Sequence, residues 1–302
     1  MIRRLHLRDE SGQALLLTVV FLVALIGAAA LTTDVGAWYR QQRQAQSTAD
    51  AAALAGAQVL PADPAQAQTL AQQYGDTNGG GVDGISFSQG FEPDDTVTVD
   101  VKKDTPSFFA NIFGIGHATV TATASARAGV PDQVFGAAPI VVNKRHPLLS
   151  GPGCPCFGVS TTLPLGKDGA PGAFGLVDFN GGSNANGDLA DWIQSGYDNY
   201  LPLGDYLSNT GAQFSSDNVQ SALTDRLGTD LLFPVYDTLT GSGSNAQYEV
   251  MGWVAFHMTS FESSGNTGSL TGWFTKAIWN GLQGTTDQNL PDFGVYSVEL
   301  VN

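Results

Sequence analysis

The chain is poor in cysteine, in basic residues and in histidine. Two Cys in 302 residues can build neither a disulfide framework nor a four-cysteine zinc site. Thirteen Lys and Arg stand against 28 Asp and Glu, a formal net charge of -15. Phosphate recognition needs clustered Lys and Arg, so this balance argues against nucleic acid as a partner. The four His (His6, His117, His146 and His257) are scattered along the chain. No Gly-x-Ser-x-Gly elbow occurs, and Gly166-Lys167 is followed by Asp168 where a phosphate-binding loop needs Ser or Thr. The expectation is a protein that is not an enzyme and has no catalytic residues and no cofactor. With 42% hydrophobic residues, however, it has enough apolar content for a folded core.

What is present begins at the N-terminus. Arg3, Arg4 and Arg8 precede a charge-free run from Ala14 to Leu31 in which Thr18 is the clear polar residue. A helix needs about 20 such residues to span a bilayer. The preceding basic residues favour a cytoplasmic N-terminus, with everything after Asp34 exported. Residues 1–12 then read as a cytoplasmic basic tail and 13–33 as a transmembrane helix. A cleaved signal peptide fits the same run, with an apolar region Leu15–Ile26 and Ala28-x-Ala30 as its small-residue cleavage site.

Residues 34–60 contain no Pro, and their Gly residues are Gly36 and Gly56; Ala, Gln and Arg dominate, all good helix formers. The helix is therefore expected to run on from Gln13 to Leu60, about 70 Å at its usual rise. A stripe of Val35, Trp38, Ala45, Ala49, Ala52, Gly56 and Val59 repeats at threes and fours, interrupted by Gln42. Ala45, Ala49, Ala53 and Ala57, with Ala52 and Gly56, form successive small-xxx-small pairs. Such pairs let helix backbones approach closely, and these six residues are the candidate helix-packing positions.

Gly12-Gln13-Ala14-Leu15, the apolar run, Asp34-Val35-Gly36, Arg43-x-x-Gln46 and Ala49–Ala57 (ADAAALAGA) together resemble the N-terminal module of TadG-like proteins. These belong to the Flp/Tad (tight adherence) pilus-assembly system. The resemblance covers roughly residues 12–60. It implies a single-pass envelope protein, its bulk outside the cytoplasm, that aids pilus assembly, anchoring or adhesion without catalysis. The implied partners are the membrane and other proteins of the apparatus, met through the N-terminal helix. The related TadE proteins look like pseudopilins, which carry Glu five residues after the Gly of the processing site; here that place is held by Leu17. Some larger relatives carry an Asp-x-Ser-x-Ser adhesion site, and no such motif occurs in this chain.

The exported part reads as α+β in two pieces. Residues 61–130 suggest a small αββαβ domain comparable to a pilin head: a helix Ala65–Tyr74, strands Ile85–Gln89 and Val97–Val101, a helix Ser107–Phe113 and a strand Ala118–Arg127. The helix Ser107–Phe113 is expected to bury Phe108, Phe109, Ile112 and Phe113. Pro131–Gly136 is the expected hinge. Residues 136–302, rich in Gly, Ser, Thr, Asn and aromatics, suggest a mostly-β barrel or sandwich. Its strands fall near Pro139–Asn143, Ala173–Phe179, Asp230–Tyr236, Tyr248–Met258, Gly272–Ile278 and Phe293–Val301. Tyr248–Met258 is apolar on both faces and should be doubly covered. Helices are expected at Leu189–Gly196 and at Asn218–Leu227, the second capped by Asp217.

Two local features invite chemistry. Cys154-Pro155-Cys156 could be a tight local disulfide in an oxidising compartment, a pair of bridges to another chain, or part of a metal site, for which only His146 is near in sequence. Asp178, Asn180, Asn184, Asn186, Asp188 and Asp191 form an oxygen-rich loop that suggests Ca²⁺. Yet Ser183 stands where an EF-hand loop has its Gly, no Glu ends the loop, and Asn and Asp also fill ordinary turns. His257, in an apolar strand, is expected to be a satisfied structural histidine.

Overall fold

The computed structural model describes residues 11–166, 170–181, 185–209, 213–264, 267–283 and 290–301. These separate into two compact units. One holds the described residues up to Ser88, Thr96–Ala126 and residues 300–301; the other holds Gln89–Asp95 and Arg127–Glu299.

The first unit is organised by α1 (Ser11–Ala57), a single helix of 47 residues. Uninterrupted helix formers and the absence of Pro let it run for about 70 Å. Its polar side chains within the apolar part turn inward on their own backbone: Thr18 donates to Ala14 O at 2.9 Å, and Thr32 and Thr33 both donate to Ala29 O. α2 (Pro64–Thr77) follows, opened by Pro at its first turn and by Asp63, whose side chain accepts the Gln66 N–H at 2.9 Å. It turns Ala67, Ala71 and Gly75 inward.

β1 (Val82–Ser88) and β2 (Thr96–Pro106) pair antiparallel, with Ile85 opposite Val99. β3 (His117–Gly129) lies on the other side of β2. The pairs Thr98–Ser125, Asp100–Thr123 and Asp104–Thr119 keep one register, so β2 and β3 also run antiparallel. Val97, Val99 and Val101 of β2 are buried, as are Val120, Ala122, Ala124 and Ala126 of β3, alternating with exposed or half-buried neighbours.

The expected helix Ser107–Phe113 is not formed. One 3-10 turn, Ala110–Phe113, takes its place and ends at Gly114, whose φ of 83° is left-handed. Phe108, Phe109, Ile112 and Phe113 are 69%, 41%, 79% and 85% exposed, where burial was expected. The reason is geometric: four residues make a single turn with no stripe to bury, and α1 and α2 already cover the sheet's inner face with small side chains.

The second unit is strand-rich. Its elements are β4 (Gln133–Phe135), β5 (Ile140–Asn143), α3 (Pro147–Ser150), β6 (Ser160–Pro164), β7 (Phe174–Asp178), α4 (Ala185–Ser195), β8 (Tyr200–Pro202) and β9 (Gly204–Ser208). α5 (Asp217–Asp225), β10 (Thr229–Thr240), β11 (Gln247–Ser264), β12 (Thr267–Thr275), β13 (Ala277–Ile278), β14 (Gly281–Leu282) and β15 (Val295–Val301) complete the chain. The strand order β10-β5-β7-β9-β11 is closed by the long antiparallel β10–β11 pairing, which makes a five-stranded barrel. β12 and β6 extend the sheet beyond β11. A small separate sheet has the order β14-β4-β8.

β11 is covered on both faces, as its sequence predicts. Val254, Phe256 and Met258 enter one core cluster with Phe233, Phe274 and the helix residues Leu189, Ile193, Val219 and Leu223. Val250, Trp253 and Ala255 enter another with Val141, Val177, Tyr236 and Tyr248. The cap expected from Asp217 falls one residue late: Ser216 occupies the N-cap without a side-chain bond, and Asp217 is already helical.

Candidate functional site

The least ordinary feature of the first unit is Asp34. It stands just beyond the apolar run of α1 and is only 1% exposed. Its Oδ1 accepts the Phe108 N–H at 2.9 Å, and its Oδ2 accepts those of Phe109 and Ala110 at 3.0 and 2.6 Å. One carboxylate thus satisfies three backbone donors that a loop this short cannot pair internally. The β2–β3 loop is thereby fixed to α1 at the last turn before the run of aliphatic side chains.

Above this point α1 and β3 run side by side. Gln42 donates to Thr121 O at 2.6 Å and Gln46 to Thr123 O at 3.3 Å. Still further along, the candidate packing residues Ala45, Ala49, Ala52, Ala53 and Ala57 are all 0% exposed, and Gly56 is buried. Their neighbours belong to this same chain. A Cβ placed on Gly56 would lie 3.1 Å from Ala67 O, 3.2 Å from Ala71 Cβ and 3.4 Å from Val97 Cγ1. Thr48 is buried as well, accepting a bond from Lys103 Nζ at 3.3 Å and donating to Gln44 O and Asn78 O. Burial pulls the Lys103 ammonium below its usual range.

The opposite holds below Asp34. Leu15, Leu16, Leu17, Phe21, Val23 and Ile26 are 58–69% exposed, and the most apolar window of the helix has mean hydropathy 2.8 with no part buried. The helix is thus long and apolar enough to cross a membrane. Val35, placed on the packing stripe by its spacing, is 48% exposed.

In the second unit, Cys154 and Cys156 are joined as a disulfide with their Cα atoms 4.5 Å apart. In the oxygen-rich loop, Asp178 Oδ1 accepts the N–H groups of Asn180 and Gly181, and Asn180 Nδ2 donates to Asp188 Oδ2 at 3.3 Å. Asp191 is exposed; Asn184 and the Asn186 side chain lie outside the described residues. Among the described residues no three His, Cys, Asp or Glu side chains converge as a metal-binding group. His257 Nδ1 lies 2.7 Å from Asp230 Oδ1, its ring stacked 4.5 Å from Trp273. His146 is buried and caps α3, its Nδ1 accepting the Leu148 N–H at 3.1 Å; burial lowers its pKa. A small cavity lined by Phe91, Glu92, Asp95 and Tyr296 is acidic. Burial, then the Asp292 and Asp95 carboxylates, raise the Glu92 pKa.

Sequence reasoning gave Asp34 no structural role and read the loop that it holds as a buried helix. Two signals were there: one carboxylate directly after the uncharged residues 11–33, and an uncharged stretch from Thr105 to Gly116 with five large apolar side chains.

One long helix is thus bare and apolar along its first part, long and apolar enough to cross a membrane, and covered along its second by α2 and the strands of its own unit. Residues 12–59 match the model of a family described as putative Flp pilus-assembly TadE/G-like. The similarity is consistent with a TadG-like N-terminal module; it is confined to α1 and the two residues after it. No curated protein and no solved structure matches the chain.

Proposed function

We propose that this chain is a structural, non-enzymatic component of a Flp/Tad pilus-like apparatus, anchored by a single pass. In this reading residues 13–33 cross the membrane, Arg3, Arg4 and Arg8 keep residues 1–12 in the cytoplasm, and both folded units lie outside. The observation that carries it is the coincidence of the TadE/G-like match at residues 12–59 with one continuous helix whose apolar half is unpacked. Because the Ala45–Ala57 face is occupied by the head, apparatus proteins meet α1 through the bare Ala14–Leu31 segment, inside the membrane. The strand-rich second unit then supplies the contact surface outside the membrane.

A second reading, incorporation as a minor pilin, draws on the same geometry, since a helix bare at one end and headed at the other can leave the membrane and join a bundle. Leu17, in place of the Glu that pseudopilins carry, weighs against it. A secreted binding module cut near Ala30 is a third. Mass spectrometry of the N-terminus in membrane, sheared-surface and medium fractions separates them. An intact Met1 end in membranes supports the anchor. Cleavage after Gly12 in the sheared fraction replaces it with the minor pilin, and a chain starting near Leu31 in the medium replaces it with the secreted module.

A further inference from the structure

We propose that the β2–β3 loop, residues 107–116, is a second membrane contact: it dips its apolar tip into the headgroup–acyl boundary of the leaflet from which α1 emerges. The inference rests on the anchored reading above and adds a lipid-facing site to it.

Depth is the first argument. Thr121 lies level with Gln42. From Thr121 back to His117 a strand travels about 13 Å, and from Gln42 back to Asp34 the helix travels about 12 Å. The two paths arrive together, which is why Asp34 meets the loop backbone at Phe108–Ala110. The remainder of the loop therefore sits at the level of Asp34, where the aliphatic surface of α1 begins.

Chemistry is the second. From Thr105 to Gly116 the chain carries no charge. Phe108, Ile112, Phe113 and Ile115 are exposed, between 51% and 85%. Large apolar side chains collected on one short loop mark a contact surface and not a solvated turn. The residues just outward are those of a membrane interface: Trp38 is half-buried, Tyr39 is 61% exposed, and the Arg43 guanidinium lies 5.8 Å from the Tyr39 ring. The apolar surface of the loop is thus continuous with that of the spanning helix. Lipid covers both, and the expected depth of the tip is about 5–10 Å, that of interfacial apolar elements.

The test uses the full chain, one copy per nanodisc of phosphatidylethanolamine with a minority of phosphatidylglycerol. Nitroxide labels are placed singly through Ile112→Cys, Phe113→Cys, Leu22→Cys and Gln72→Cys, without reductant so that the Cys154–Cys156 disulfide stays closed. Collisions with oxygen, which enters lipid, are compared with collisions with a water-soluble nickel chelate. The expected result is an oxygen-favoured ratio at residues 112 and 113, intermediate between Leu22 and the water-exposed Gln72. A lipid-like Leu22 with water-like residues 112 and 113 overturns the loop contact while sparing the anchor. Shielding of 112 and 113 from both agents overturns it in favour of a protein surface. A water-like Leu22 overturns the anchor and the loop contact together.

Discussion

The two halves of α1 obey opposite rules. Between Leu15 and Ile26 most side chains are large, apolar and exposed, whereas between Ala45 and Ala57 the buried ones are small. Apolar size and burial normally rise together. Here the inversion separates two environments on one rod. The first half offers area, which lipid or a partner helix must cover. The second offers closeness: with Ala, Gly and one Thr on its buried face, α2 and β2 can pack close against its backbone, and one added methyl at Gly56 meets Ala67 O at 3.1 Å.

The sharpest way to break this contrast is a charge in the bare half. Leu22→Arg should make insertion less favourable by about 2.5–3.5 kcal/mol. The protein should move from the carbonate-washed membrane fraction while the melting of its head stays unchanged. The mirror experiment enlarges the packed half. Gly56→Leu forces side-chain atoms toward Ala67, Ala71 and Val97 and should cost about 1–3 kcal/mol. That appears as a lower urea midpoint with membrane retention intact, and an unaltered midpoint would refute the packing account of the stripe.

A third perturbation touches neither half and serves as a control. The His146 pKa lies below its ordinary value of 6.5, and its neutral Nδ1 caps α3. The stability it contributes is complete above 6.5 and is lost as pH falls from there through the folded-state value. The loss should be about 1 kcal/mol, the scale of one N-cap, and confined to the strand-rich unit. His146→Asn, which keeps a capping oxygen, should flatten that pH dependence. The smallest effect belongs to the junction: Asp34→Ala should speed hydrogen exchange at the amides of Phe108, Phe109 and Ala110, with exchange in β2 and β3 unchanged.

Much of the architecture was legible because its signals are local. Hydropathy and the missing Pro predicted one long helix, and strict alternation predicted β2 and β3. The two-faced apolar run of β11 foretold a covered central strand. Short strands such as β4, β8 and β14 carry no period long enough to read, and pairing alone defines them. The reading failed most plainly at Phe108–Phe113, where an apolar pattern suggests burial but the site has no interior left to enter.

By itself the sequence determined that this chain has one lipid-length apolar segment, a helix continuing past it, and a strand-rich remainder, because those depend on composition and period. Only the tertiary structure decided what each surface does. It turned the small-residue stripe inward onto the chain's own head and made Asp34 the fastening of a distant loop. It also left that loop's aromatic tip bare, since such choices depend on which backbones meet, across 74 to 76 positions of sequence.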